Sequence, residues 1–111
     1  MVNTPQDADE YTELVDRNGL VKLFANRVRA RILATLLYAD EPLTVDRIAA
    51  GAGVTRSVVH EALDPLARFG VLDERPTEAD DVTAFALDDD DELVASIRRI
   101  AELSTERFYD E

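Results

Sequence analysis

Apolar residues recur every three to four positions between residues 20 and 39, which is the period of an α-helix. The repeat consists of Leu20, Phe24, Val28, Ile32 and Leu36, widened by Leu23 and Leu37. Such a broad apolar face predicts a central helix. Asp40-Glu41-Pro42 ends it, because proline cannot continue a helix and restricts the residue before it. Arg29 and Arg31 lie on its more exposed sides, and we expect them to pair with acidic neighbours.

Two further helices are predicted after it, joined by a glycine turn at Gly51-Ala52-Gly53. Thr44 and Thr55 are suited to begin them, since a threonine hydroxyl accepts a hydrogen bond from a free N–H at a helix start. The inner face of the second helix consists of Val59, Ala62, Leu63 and Leu66. Pro65 lies within that pattern, and we expect a kink rather than a break because the apolar spacing continues up to Gly70.

Two short strands and a last helix complete the pattern. Residues 71–75 and 82–87 are rich in β-forming residues, and the polar loop of six residues between them predicts a hairpin. The acidic run from Asp88 to Glu92 suits a helix amino terminus, which carries partial positive charge. A cation site in this run stays open as an alternative. The apolar stripe of the last helix consists of Leu93, Ile97, Ile100 and Phe108, with Leu103 beside it.

The chain therefore divides into three predicted parts. Residues 1–19 form an acidic segment whose short apolar pattern, Tyr11, Leu14 and Val15, would pack on the body as one or two helical turns. Residues 20–87 form the single domain, and residues 88–111 form the last helix. The predicted fold class is mainly α with a small β-hairpin.

The order helix, short helix, glycine turn, helix, hairpin is typical of a winged helix-turn-helix. The segment LTVDRIAAGAGVTRSVVHEALDPLARFGVLDER, residues 43–75, resembles the winged-helix core of small prokaryotic and archaeal transcription regulators of the ArsR and MarR kind. NRVRARILATLL, residues 26–37, resembles the first core helix of the ArsR type. The resemblance implies a sequence-specific regulator that binds double-stranded DNA as a homodimer. The dimer contacts expected in the last helix are Leu93, Ile97, Ile100 and Phe108.

In such a motif the second helix, here about residues 55–69, enters the major groove and presents its amino-terminal residues to base edges. Arg56 has the paired donors that bind guanine O6 and N7, and Val58 has an apolar surface for a thymine methyl group. Base or phosphate contacts are also expected from Thr55, Ser57, His60, Arg47 and Arg75. Three of these residues have an alternative interpretation without DNA contact. Thr55 is a helix cap in any case, and Arg56 and His60 would otherwise be solvated surface residues.

The net charge of −12, from 24 acidic and 12 basic residues, argues against a polyanionic partner. The charge is unevenly placed: residues 1–20 carry −4, residues 21–75 carry +1 and residues 76–111 carry −9. The helix-turn-helix segment is thus nearly neutral. Eleven of the basic residues are arginine and one is Lys22, so the composition resembles that of haloarchaeal proteins, in which acidic surfaces maintain solubility in concentrated salt.

The composition and the motifs argue against several classes of function. The chain has no cysteine, which removes disulfides and thiol chemistry. Its single histidine argues against the common histidine-based metal sites, and no cofactor is expected. It has no phosphate-binding loop or nucleophile motif, so we expect no enzyme activity. No apolar run is long enough to span a membrane and the first residues are polar, which predicts a cytoplasmic protein with no membrane partner.

The acidic hairpin tip keeps a second function open. Glu78, Asp80 and Asp81 would repel phosphate, as would Glu61 and Asp64 on the outer side of the second motif helix. The alternative is a winged-helix protein–protein module, or an acidic protein that mimics DNA without binding it. A small-molecule effector of unknown identity is compatible with both hypotheses.

Overall fold

A computed structural model of the chain describes residues 8–79 and 81–110. In this part of the chain, three helices precede a short strand, and two helices, a pair of strands and a last helix follow it. The elements in order are α1 (Ala8–Arg17), α2 (Gly19–Phe24), α3 (Arg27–Tyr38), β1 (Leu43–Thr44), α4 (Val45–Ala52), α5 (Arg56–Arg68), β2 (Leu72–Pro76), β3 (Thr83–Leu87) and α6 (Glu92–Phe108). The predicted fold class, mainly α with a small antiparallel sheet and a last helix, is confirmed.

The prediction of one long helix over residues 20–39 is wrong in one respect, because the structure contains two helices there, α2 and α3. Ala25 adopts a positive φ of 49° with ψ of −57°, and the Asn26 N–H donates to the Phe24 carbonyl, as in a γ-turn. The Asn26 side chain then caps α3 by accepting from the Arg29 N–H at 2.9 Å. The apolar spacing continues across this break, so the spacing alone concealed it.

The two helices of the predicted helix-turn-helix form as expected. The Thr44 and Thr55 side chains accept from the N–H groups of Arg47 and Val58, at 3.4 Å and 3.3 Å. Gly53 ends α4 in the left-handed region, at φ 72°, where a residue without Cβ has no steric penalty. α5 runs without a break through Pro65.

The sheet has a third strand that the sequence did not predict. β2 and β3 form the expected hairpin, with Leu72 opposite Leu87 and Pro76 opposite Thr83. The two residues of β1 pair with β3 on its other side, so the strand order is β1-β3-β2 and all pairs are antiparallel. A two-residue strand has no detectable alternation of its own, because its pairing depends on where β3 lies.

The core lies between α3, α4, α5 and the base of the sheet. Ile32, Ile48, Val59, Leu66 and Val71 have no exposed surface. All four residues predicted for the inner face of α5 are buried. Within the described residues no polar or charged side chain is buried, so burial of apolar surface supplies the stability of this core.

The acidic run caps α6, as predicted. The Asp91 carboxylate accepts from the N–H groups of Leu93 and Val94, and Asp89 pairs with Arg98 at 3.0 Å. In the described residues no group of His, Asp or Glu is arranged to hold a metal ion. The expectation that Ile97 lies on a dimer surface is corrected: it is 3% exposed and packs in the core of its own chain, beside Val94.

The first helix does not pack on the body as expected. Tyr11, Leu14 and Val15 are 52%, 66% and 52% exposed, and Leu20 in α2 is 58% exposed. α1 contacts α2, its neighbour in sequence. In the described part of the chain, no helix has the length and apolar character needed to cross a membrane.

A close approach between α3 and α4 depends on Gly51. A Cβ at this position would lie 2.7 Å from Cγ2 of Thr35, whose hydroxyl donates to the Arg31 carbonyl one turn earlier on α3. Threonine cannot move its methyl group easily, because a β-branched side chain has few accessible rotamers in a helix. Gly51 therefore sets the distance between the two helices.

We predict that Gly51→Ala destabilises the protein, although alanine is the better helix former by about 1 kcal/mol, because relieving the contact with Thr35 costs roughly 1–3 kcal/mol. Thr35→Ser removes Cγ2 and keeps the hydroxyl, so the double variant should regain the lost stability. Denaturant unfolding of the four proteins checks the coupling. Additive effects of the two substitutions would contradict the proposed contact.

Candidate nucleic-acid interface

The amino-terminal half of α5 presents a polar surface, because its apolar residues are held in the core. Arg56, Ser57 and His60 are exposed at its start. The Val58 N–H donates to the Thr55 hydroxyl, and the Val59 N–H donates to the Thr55 carbonyl as the first backbone hydrogen bond of the helix. The N–H groups of Arg56 and Ser57 come before both, at the positive end of the helix, where they suit an anion.

Val58 differs from the other candidates of this helix. It is half-buried and packs against the core, beside Val59. Only part of its side chain is therefore available for a thymine methyl group, and its packing role is the better supported one.

Arg56 is held by a carboxylate from the first helix of the motif. Its Nε lies 3.0 Å from Oδ1 of Asp46, the second residue of α4. Both side chains are about two-thirds exposed, at 66% and 69%. The pair links the starts of α4 and α5 across the turn, so the guanidinium has a defined position at the surface.

A groove runs between the start of α5 and strand β3. It is lined by Arg56 and His60 from α5, by Asp46 from α4, and by Phe85 and Asp81 from the hairpin. The structure thus brings two predicted contact residues together with two carboxylates. Asp81, at the hairpin tip, has a positive φ of 62°. Asp80 of the predicted acidic tip lies outside the described residues.

The other two arginines predicted to contact DNA are also paired with carboxylates. Arg47 lies 3.7 Å from Glu41, in the loop that precedes β1. Arg75 donates to Asp73 from both Nε, at 3.0 Å, and Nη2, at 2.6 Å. This hydrogen bond lowers the pKa of the Asp73 carboxyl and raises the pKa of the Arg75 guanidinium.

Arg75 lies on the wrong face of the sheet for the predicted contact. It is opposite Ala84, whereas Glu74 is opposite Phe85, the strand residue that lines the groove beside α5. Successive residues of a strand point to opposite faces, so Arg75 is directed away from that groove. It lines a different pocket together with Asp73 and the acidic residues that precede α6.

Among the described residues, Arg29 and Arg31 do not pair with acidic neighbours as expected. Arg29 Nη1 donates to the Lys22 carbonyl of α2 at 2.8 Å, and Arg31 Nε donates to the Ala52 carbonyl of α4 at 2.7 Å. Both acceptors are carbonyls near the carboxyl end of a helix, which lack helical partners and carry partial negative charge. These arginines therefore fasten α3 to the ends of α2 and α4.

Sequence reasoning missed the residues that hold the arginines. Asp46 and Glu41 are ten and six residues from their partners, and no periodic pattern connects such positions. The partner of Arg75 was detectable in principle, because Asp73 is two residues away and therefore on the same face of a strand.

Comparison with known proteins supports the architecture. Residues 29–76 match the model of the IclR helix-turn-helix domain. No curated protein sequence matches the chain. NolR from Sinorhizobium fredii superimposes with a TM-score of 0.62 at 19% identity, covering 96% of this chain and 97% of that one. The antimony-specific transcriptional repressor AntR gives 0.65 at 22% identity, covering 98% and 91%.

A third structure, from Mycobacterium bovis, is the homodimeric winged helix-turn-helix DNA-binding domain of Mb0332, a possible ArsR-family transcriptional regulator. It superimposes with a TM-score of 0.60 at 19% identity, covering 97% of this chain and 96% of that one. At these identities the likeness concerns the fold. The chain therefore has the winged helix-turn-helix fold, and its residues 29–76 form a helix-turn-helix domain similar to that of the IclR family.

Proposed function

We propose that this protein is a DNA-binding transcription regulator that acts as a homodimer, with the start of α5 in the major groove. The observation that carries the proposal is the exposed set Arg56, Ser57 and His60 at the amino terminus of the second helix of a helix-turn-helix, above a fully packed inner face. The matching domain model supports it, as do the transcriptional repressor AntR and the homodimeric DNA-binding domain of Mb0332, which share the fold.

The ion pairs of the proposed interface are compatible with DNA binding. Exposed salt bridges contribute only about 0–1 kcal/mol each, so exchanging the Asp46 carboxylate for a base edge or a phosphate costs Arg56 little. Arg47 lies in the same short helix as Asp46 and is the second proposed cation. Arg75 is left out of the proposed contacts, because it lies on the other face of the sheet.

We predict that Arg56→Glu lowers the affinity for specific DNA about tenfold to a hundredfold, since one bidentate arginine–guanine contact is worth about 1–3 kcal/mol. Arg99→Glu is the matched control, because Arg99 is an equally exposed arginine of α6, paired with Glu102. Fluorescence anisotropy with genomic DNA fragments, in concentrated potassium chloride, measures both.

Two outcomes, one from this binding experiment and one from transcription in vivo, separate DNA binding from the protein–protein alternative. No specific DNA binding by the unaltered protein at any salt concentration would contradict the proposal. Unchanged transcription in vivo with Arg56→Glu, together with loss of function after charge reversal of Glu78 and Asp81 at the hairpin tip, would favour the protein–protein module.

The carboxylate that pairs with Arg56 would also affect how the DNA affinity depends on salt concentration. DNA binding releases about 0.9 counterions for each phosphate neutralised, which makes the affinity fall as salt rises. When Arg56 leaves Asp46, the freed carboxylate faces the DNA and attracts a cation, which offsets part of that release. A regulator built in this way keeps its affinity in concentrated salt better than one with unpaired arginines.

We therefore predict that Asp46→Asn tightens DNA binding in dilute salt and steepens the slope of log affinity against log salt by about one. Glu102→Gln, which frees Arg99 in the same way far from α5, should leave both quantities unchanged. Affinity measured over a series of potassium chloride concentrations gives the slopes. Parallel lines for Asp46→Asn and the unaltered protein would exclude this role for Asp46.

The homodimer is supported by apolar surface that the single chain leaves uncovered. Leu14 and Leu20 at the start of the domain, and Ile100 and Phe108 in the second half of α6, are 51% to 81% exposed. The chain extends 62 Å along its longest axis against 27 Å along its shortest. Two copies joined through these helices would present two α5 helices to half-sites about one DNA turn apart. Leu93 is half-buried against the core, so Ile100 and Phe108 are the stronger contact residues.

We predict that Ile100→Asp weakens the dimer at least about tenfold, because burying one unpaired carboxylate costs more than 1.4 kcal/mol. Ala95→Asp is the control: it places the same charge at an exposed position about 140° further round the helix. Sedimentation equilibrium measures the association constant. A monomeric unaltered protein, or equal effects of the two substitutions, would contradict this dimer surface.

A further inference from the structure

A pocket between α2, the start of α3 and the end of α5 differs in charge from the rest of the molecule. Its cations are Lys22 from α2, Arg29 from α3 and Arg68 from α5. Within the described residues no aspartate or glutamate lines it, whereas four other pockets in this part of the chain each include at least one carboxylate. The lining of this pocket is therefore positively charged, although the chain as a whole has a net charge of −12.

These three cations form no ion pair with any described carboxylate. Arg47, Arg56, Arg75, Arg98 and Arg99 each pair with an aspartate or glutamate. By contrast, in the part of the chain that the structure describes, Lys22, Arg29 and Arg68 form no salt bridge. Three like charges around one pocket repel one another, and a bound anion would relieve that repulsion.

Arg29 adds a second reason to expect an anion. It lies in the first turn of α3, where the partial positive charge of the helix end disfavours a cation. Its Nη1 donates to the Lys22 carbonyl at 2.8 Å, which holds the half-buried guanidinium at the pocket while leaving its remaining N–H donors to other acceptors. Guanidinium donors match the two oxygens of a carboxylate.

The remaining lining is apolar. Val21 and Ala25 form one wall, and Pro65 of α5 and Phe69, the residue after that helix, form the other. The pocket holds about 570 Å³, within the range of small-molecule sites. An inorganic anion would leave these walls in contact with water. An organic anion would cover them, because its hydrocarbon part gains from leaving water.

We propose that this pocket binds a small organic carboxylate with a compact apolar body, the carboxylate between Lys22, Arg29 and Arg68 and the body against Pro65 and Phe69. The site shares no residue with the proposed DNA contacts, so it stands or falls independently of them. Its ligand would touch the carboxyl-terminal end of the helix whose amino-terminal end carries Arg56.

Isotope-labelled full-length protein titrated with octanoate and with benzoate tests the proposal by nuclear magnetic resonance. Octanol serves as the uncharged probe and inorganic phosphate as the anion without an apolar body. We expect saturable shifts of the amides of Val21, Ala25, Arg68 and Phe69 with the carboxylates, and affinities at least about tenfold lower for octanol and for phosphate.

Arg68→Gln should weaken carboxylate binding about tenfold or more, while Arg99→Gln, the same charge change on α6, should not alter it. Circular dichroism confirms that both variants are folded. Equal binding of octanol would overturn the proposal in favour of a merely apolar patch, and equal binding of phosphate would leave an adventitious ion only. It is also overturned if the carboxylates fail to bind, including the case in which a second copy of the chain already covers Val21 and Phe69.

Discussion

The contact of α3, α4 and α5 through Ile32, Ile48, Val59 and Leu66 is the constraint on which the rest of the molecule depends. These residues have no exposed surface, and the helices that carry them can approach closely because Gly51 leaves room for the methyl group of Thr35. With the inner face of α5 held in this way, its outer face has one orientation. Arg56 and His60 are exposed because Val59 and Leu66 are buried.

The charged residues contribute to this structure in a different way from the apolar residues. Apolar burial needs close packing, whereas most of the described ion pairs lie at the surface, where they contribute little to stability but fix where a guanidinium points. On the side proposed to face DNA, Glu41 and Asp46 position Arg47 and Arg56 through exposed ion pairs, which can exchange for another anion at little cost. The pocket between α2 and α5 has the opposite arrangement, since none of the described aspartates or glutamates lines it beside its cations. A net charge of −12 is thus compatible with two different kinds of anion recognition on one small domain.

Sequence patterns succeeded wherever the cause of a structure is local. Thr44, Thr55 and Asp91 cap helices because an oxygen lies two or three residues before free N–H groups, and this depends on neighbours in sequence. The inner face of α5 follows from helical spacing. The break at Ala25 went unseen, because residues on both sides keep the same apolar spacing and alanine is a strong helix former. Asn26 was a visible capping residue, but its role depends on the positive φ before it.

Arg75 and Ile97 illustrate what a pattern cannot decide. Alternation along β2 places Asp73 and Arg75 on one face, but only the pairing of β2 with β3 determines which face adjoins α5. Helical spacing places Ile97 in an apolar stripe, but only the docking of α6 determines that this side chain fills the core of its own chain. By itself, the sequence determined most of the elements, the caps at Thr44, Thr55 and Asp91 and the helix-turn-helix order, since those arise from interactions between close neighbours along the chain. The tertiary structure decided the partners of Arg47 and Arg56, the third strand and the cationic pocket, because each joins residues whose separation in sequence carries no periodic signal.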